Sequence, residues 1–186
     1  MSPIRRFFTL FTVAILIVWV TLAIVAYDSL PATIATHFGP SGRADGFATK
    51  SIGSWFMLTM VGVSTSIMIL VLAQMARTKP DIFNVPGKLT LRSLPPHAQS
   101  PFLEQLAIWM TTLGASMVLV FAAIQYDMYS VAGSAQRGLS PVTWLTMAIA
   151  LGGNLIATPI WLFRFRRDVL AAAAVVANPA RAPRSS

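Results

Sequence analysis

The sequence contains no cysteine and few charged residues. The absence of cysteine from all 186 residues excludes disulfides, thiolate metal ligands, cysteine nucleophiles and thiol redox sensing. Charged residues make up 11% of the chain, whereas soluble domains contain about 25%. A water-soluble globule of this size needs more polar surface than these residues provide. We therefore expect lipid to cover part of the protein.

Recognisable catalytic motifs are also missing. The sequence has no G-x-S-x-G, no H-E-x-x-H and no phosphate-cradling glycine loop. Both histidines, His37 and His97, lie outside the long apolar runs, so no hydroxyl–imidazole pair is expected within the membrane. We predict that the protein is not an enzyme, and we assign no catalytic residue and no cofactor.

Long hydrophobic runs dominate the chain. Four of them, none with Asp, Glu, Lys or Arg, cover about residues 7–27, 53–76, 105–126 and 142–163. Each has roughly 21 to 24 residues, and a helix needs about 20 to cross the hydrocarbon of a bilayer. Because every backbone polar group in lipid must bond internally, such runs must be helical. The sequence predicts an all-α integral membrane protein with four transmembrane helices.

Domain organisation follows from these runs. Residues 1–168 form the predicted transmembrane domain, and residues 169–186 form a cytoplasmic tail. The alanine-rich stretch 169–177 is expected to extend the fourth helix, and the proline- and arginine-containing stretch 178–186 is expected to be disordered. Ser100-Pro101 and Ser140-Pro141 each place a capping residue before a proline, which predicts the starts of helices three and four.

Basic residues exceed acidic ones, 14 to 6, for a net charge of +8. Most of them flank the apolar runs near the two termini and in the second loop, which predicts that these segments are cytoplasmic. The first and third loops then face outward from a bacterial plasma membrane. Since the charges occupy short flanking segments, they indicate topology and contact with the lipid bilayer rather than a nucleic-acid partner.

The segment 28–50 is the one polar stretch that lipid cannot explain. Its turn-forming residues predict a short structured extracytoplasmic loop between helices one and two. An ion pair of Asp45 with Arg43 or Lys50 is one way to hold it. Four apolar side chains are expected to form a small core under this loop: Leu30, Ile34, Phe38 and Phe47.

A metal site is the alternative interpretation of this loop, since His37 and Asp45 are both metal-ligand types. Two ligands do not make a site, and the nearest third is Asp28. We therefore predict no metal and assign these side chains to turn and capping bonds.

Polar residues inside the apolar runs are few. Asn154 lies near the middle of the fourth run, where it is either a functional group or the donor of an interhelical hydrogen bond. Gln74, Gln125 and Asp127 are expected at helix ends in contact with water.

Small residues four apart indicate helix contacts, within the chain or in a homo-oligomer: Gly62 with Ser66, Ala148 with Gly152, and Gly153 with Ala157.

Two short patterns resemble a bacterial membrane family catalogued as domain of unknown function 1648. The resemblance covers roughly residues 10–90, and the same domain occurs in SdpI-like membrane proteins. Some of those proteins confer immunity to a secreted toxin and take part in signalling, but their additional helices have no match here. The first pattern comprises Leu30-Pro31, Ile34, His37-Phe38, Gly42, Asp45 and Lys50, and the second Asn84, Pro86 and Lys88.

The function expected from these observations is non-enzymatic. A structured outward loop above uncharged helices favours a sensor, immunity or accessory protein that meets an extracytoplasmic protein or peptide. The alternative is a small transporter or channel subunit, which predicts a polar path along Asn154 and a homo-oligomer formed through helices two and four.

Overall fold

The computed structural model of the protein describes residues 1–133 and 137–178. Within these residues, four helical segments are long and apolar enough to cross a membrane: Pro3–Tyr27, Ile52–Thr78, Pro96–Gly133 and Pro141–Ala177. The predicted membrane protein with four spanning helices is confirmed. We name the first three α1, α2 and α4, because a short helix, α3 (Lys88–Ser93), lies between the second and third spans. The fourth consists of α5 (Pro141–Met147), a π-helical turn (Ala148–Gly152) and α6 (Gly153–Ala177).

Serine caps begin three of these spans. The Ser2 side chain accepts from the Arg5 N–H at the start of α1, and Ser51 forms a reciprocal capping box with Ser54 at the start of α2. Ser140 accepts from the Thr143 N–H at the start of α5, as predicted. Each cap satisfies a backbone donor that has no partner inside the helix.

The predicted start of helix three at Ser100 is wrong, because α4 begins at Pro96 and Pro101 lies inside it. The N–H groups of Ala98 and Gln99 both donate to the Pro95 carbonyl, so a helical turn already exists before Pro101. Pro101 is the sixth residue of α4, and it removes the one N–H that would have bonded to the His97 carbonyl in the first turn.

The described part of the predicted tail, residues 169–177, is helical. α6 continues to Ala177, as the alanine-rich composition predicted. The stretch predicted to be disordered lies outside the described residues except for Asn178, which follows the helix end.

The loop between α1 and α2 folds as a β-hairpin, so the all-α prediction is wrong in this segment. Strand β1 (Thr33–Phe38) pairs antiparallel with β2 (Ala44–Thr49), with register shifts between Ala35 and Phe38. Threonine and aromatic residues favour extended backbone. Gly42 in the connecting turn has φ +75°, a conformation that L side chains rarely adopt.

Helix α4 is the centre of the bundle and packs against α1 and α2. Gly62 of α2 lies directly against the Trp19 ring of α1, and Ser66 donates to the Gly62 carbonyl. This confirms the predicted small-residue contact within the chain for α2. In the fourth span, by contrast, Gly152 and Gly153 face open space, so their small size serves no contact with the described residues.

At the end of the bundle away from the hairpin, a 3₁₀ turn (Pro80–Ile82) and the short helix α3 (Lys88–Ser93) connect α2 to α4. Leu91 and Leu94 of this connection pack against Phe165 and Val169 of α6 in a buried cluster. This cluster holds the extension of the fourth span against the second loop.

Candidate functional site at the hairpin end

The hairpin sits on a buried apolar cluster to which α2, α4, strand β1 and the link between α1 and β1 each contribute one residue. Leu30, Ile34, Trp55 and Met128 form this cluster, and Phe38 packs against it. The indole N–H of Trp55 donates to the Ala23 carbonyl at 2.8 Å, which satisfies its one polar group. Each buried side chain of this kind contributes about 2 kcal/mol. Two or three of them are enough to fix the hairpin to the bundle.

The hairpin turn is also bonded to the segment that precedes the fourth span. The Ala44 N–H donates to the Arg137 carbonyl at 3.0 Å, and the Leu139 N–H donates to the Gly42 carbonyl at 2.8 Å. The Trp144 ring lies over Gly42, 2.7 Å from where a Cβ would be. The third loop thus continues the hairpin sheet by one bridge, from Arg43 to Gly138.

Asp127 holds the third loop in place from inside α4. Its Oδ2 accepts from the Ser140 N–H at 2.9 Å and from the Ser140 hydroxyl at 3.3 Å. The side chain is fully buried. The prediction that Asp127 contacts water at a helix end is therefore wrong, because α4 extends to Gly133 and the loop folds back over it.

Gln125 is likewise buried, in contrast to the prediction. Its Oε1 accepts from the Thr59 hydroxyl at 3.1 Å and its amide donates to the Trp55 carbonyl at 3.2 Å. Both ends of the amide are used, so Gln125 joins α4 to α2 beneath the hairpin. Gln74, at the opposite end of α2, accepts from the Arg5 guanidinium at 2.6 Å.

Lys50 closes the base of the hairpin. Its ammonium donates to the carbonyls of Asp28 and Leu30, at 3.2 and 3.1 Å, and lies 4.8 Å from the centre of the Tyr27 ring. The carbonyls at the end of α1 attract a cation. Lys50 therefore bonds to backbone carbonyls. The predicted ion pair between Lys50 and Asp45 is wrong.

His37 and Asp45 form a pair across the two strands. His37 Nδ1 lies 2.6 Å from Asp45 Oδ1, and the side chains are 70% and 52% exposed. Asp45 thus bonds to His37 and not to Arg43 or Lys50. Because both groups are well exposed, the pair contributes at most about 1 kcal/mol to stability. The pair is therefore a feature of the protein surface.

Beside this pair, one face of β2 is exposed along its whole length. Asp45, Phe47 and Thr49 are exposed and alternate with half-buried neighbours, as side chains of a strand do. Phe47 is 58% exposed, so its predicted place in the core under the loop is wrong. The exposed face of β2 thus places a phenylalanine ring close to the His37–Asp45 pair.

The hairpin brings two side chains of metal-ligand type together, His37 and Asp45. Across residues 1–133 and 137–178, no group of three or more His, Cys, Asp or Glu side chains comes together as metal ligands would. A stable site needs three or four ligands, and His37 with Asp45 supplies two. The geometry is that of a displayed surface.

The remaining predicted residues lie elsewhere. Pro31 is exposed between α1 and β1. Asn84 and Pro86 precede α3 at the opposite end of the bundle, where the Lys88 ammonium donates to the Asp81 carbonyl at 2.7 Å. The Asn154 amide donates to the Ala150 carbonyl one turn earlier in its own helix, so the predicted interhelical bond is wrong.

The contact of residues 137–139 with the hairpin turn and the burial of Asp127 were missed by sequence reasoning. The available signal was an acidic residue directly after the third apolar run, 13 residues before the predicted cap Ser140. A carboxylate there can cap the next helix if the chain doubles back.

Comparison with known families supports the resemblance over a narrower range than predicted. Residues 13–62 match the sequence model of a domain of unknown function, DUF1648. The matched range contains most of α1, the whole hairpin and the first turns of α2, and it excludes Asn84, Pro86 and Lys88. No curated protein and no solved structure matches the chain.

Proposed function

We propose that this protein is a non-enzymatic sensor, immunity or accessory protein of a bacterial plasma membrane, and that its hairpin binds an extracytoplasmic protein or peptide. The observation that carries the proposal is the exposed face of Asp45, Phe47 and Thr49 on a hairpin fixed from below and from the side. A rigid support lowers the entropic cost of binding through that face.

The chemistry of this face suggests the partner. Phe47 offers an apolar ring, and His37 with Asp45 offers a polar pair next to it. Exposed Arg43 and Arg137 lie together at the turn. A peptide with an apolar side chain and a nearby carboxylate matches this surface, because arginine binds carboxylates in a forked geometry.

The orientation can be tested first. The natural chain has no cysteine, so a single cysteine in place of Thr49 or Leu89 reports only that site. Leu89 is exposed at the opposite end of the bundle. We expect a membrane-impermeant maleimide to label Thr49→Cys in intact cells and to label Leu89→Cys only after lysis. Labelling in the reverse order would contradict the outward hairpin.

The partner is then tested by a photoreactive residue at position 47, with one at position 89 as the matched control. We expect a discrete protein or peptide adduct at 47 that is lost when Asp45→Ala or Arg43→Ala is added. If position 47 cross-links only to lipid, or if neither Asp45→Ala nor Arg43→Ala changes the adduct, this face has no specific protein partner.

The alternative, a small transporter or channel subunit, rests on a polar path along Asn154. That amide is engaged by its own helix, so no contact in the described residues favours this alternative over the hairpin proposal. Ion flux from vesicles that contain the purified protein remains its direct test.

A further inference from the structure

A long groove lies between α1 and α4 on the membrane-spanning surface, with a volume of about 830 Å³. Phe11, Ile15, Val18 and Leu22, spaced three or four residues apart, line it from α1, and Ala122 lines it from α4. Leu22 is 61% exposed, so the groove is open at the side. Since both helices are membrane spans, this opening faces hydrocarbon.

The hydroxyl groups among the lining residues gather at the hairpin end. At the hairpin end, the Ser29 hydroxyl lies 3.3 Å from the Tyr129 hydroxyl, and both residues line the groove. Exposed Tyr126 adds a third hydroxyl. About 27 Å away along α1, taking 1.5 Å per residue, Phe11 closes the other end. This distribution of polarity matches an amphiphile that lies parallel to the helices.

Charges of both signs lie beside the polar end, on residues next to those that line the groove. The Lys50 ammonium bonds to the carbonyls on either side of Ser29, and two of its three donors are used in this way. Within the described residues it forms no ion pair. The exposed carboxylate of Asp28 belongs to the residue next to Ser29. A cation and an anion side by side complement a zwitterionic headgroup.

We propose that this groove is a binding site for one glycerophospholipid from the surrounding bilayer. An acyl chain packs along α1 toward Phe11, the phosphate lies at Lys50 and Ser29, and the headgroup amine lies at Asp28. The volume is within the usual range of ligand sites, about 300–1,000 Å³. The site uses a different surface from the exposed face of β2, so it does not depend on the proposed partner.

The test counts lipid that stays bound. The protein is purified in mild detergent, incubated with phosphatidylethanolamine as the probe, and analysed by native mass spectrometry. Ala122→Phe fills the groove from α4 and Ala26→Leu fills it from α1. Ile24→Phe is the matched control, because Ile24 is exposed on α1 outside the groove. All variants are first shown to be folded by size exclusion and circular dichroism.

We expect Ala122→Phe and Ala26→Leu to lower the bound fraction about fivefold, which corresponds to roughly 1 kcal/mol, and Ile24→Phe to leave it unchanged. Lys50→Gln is expected to weaken phosphatidylethanolamine while leaving diacylglycerol, which lacks the phosphate, unaffected. Lys50→Arg should restore the phospholipid.

Equal retention by the two groove variants and the control would overturn the proposal. So would a bound species with the mass of a second copy of the chain, displaced by Ala122→Phe, because the groove would then be a dimer interface. Loss of both lipids alike in Lys50→Gln would refute the assignment of the phosphate.

Discussion

The two ends of the helix bundle differ in how deeply their ion pairs are buried. At the hairpin end, backbone hydrogen bonds and an apolar cluster join the elements, and the ionisable pair His37–Asp45 is exposed. At the opposite end, Glu104 is mostly buried and lies 3.5 Å from Arg5 and 3.1 Å from Arg77, in a junction of three helices. The same carboxylate accepts from the Ser2 N–H at 2.8 Å.

This difference suggests a division of roles. Arg5 is only 4% exposed, and a buried cation is costly unless it is paired, so the ionic junction is a structural requirement. His37 and Asp45 make little difference to stability in their exposed position, which leaves them available for contact. The two ends are therefore expected to respond differently to the loss of an ionisable side chain, which three substitutions test, and Gly42→Ala tests the backbone at the hairpin turn.

Glu104→Gln should have the largest effect. It retains the shape of the side chain but leaves Arg5 without its carboxylate, and we expect a loss of about 3 kcal/mol. Unfolding in mixed micelles with increasing denaturing detergent, followed by circular dichroism, measures it. Asp168→Asn is the control, because its pair with Arg167 is exposed. An equal loss of stability in Glu104→Gln and Asp168→Asn would contradict the proposed difference between buried and exposed ion pairs.

Asp127→Ala should have the next largest effect and tests whether the hairpin end also depends on a buried carboxylate. The Ser140 N–H loses its acceptor, which costs about 2 kcal/mol. The same detergent titration applies, and protease cleavage in residues 137–140 should increase as the loop detaches. If cleavage does not change, Asp127 is not what holds this loop.

Gly42→Ala tests the backbone contribution at the hairpin turn. A left-handed conformation costs an L residue roughly 1–2 kcal/mol, and the new methyl group meets the Trp144 ring. The free energy of unfolding should fall by about this amount. The control is Gly53→Ala in the first turn of α2, where no other segment is close, and we expect it to leave the free energy of unfolding unchanged. A similar loss of stability in both variants would show that the left-handed turn at Gly42 is not the cause.

His37→Ala should have the smallest effect on stability, below about 1 kcal/mol. It should nevertheless weaken the photo-adduct formed at position 47, because it removes one half of the exposed pair. A stability loss as large as that of Glu104→Gln would mean that His37 is structural and that the two ends do not differ.

Much of the membrane architecture was determined by the sequence alone. Four uncharged runs of sufficient length must become helices in lipid, since no other arrangement satisfies their backbone groups. The Ser140 cap and the extension of α6 to Ala177 also follow from local composition. The turn-forming residues of segment 28–50 predicted a structured element between α1 and α2, although they did not indicate that the element is a β-hairpin.

Only the tertiary structure decided which polar groups are buried and which are displayed. Gln125 meets Thr59 and Trp55 across 66 and 70 residues of chain, and Glu104 meets Ser2 across 102. Hydrophobic periodicity describes one helix or strand at a time, so it does not predict partners this far apart in the chain. A polar residue near a helix end looks the same in sequence whether it faces water or a returning loop, because its environment is set by segments that arrive from elsewhere in the chain.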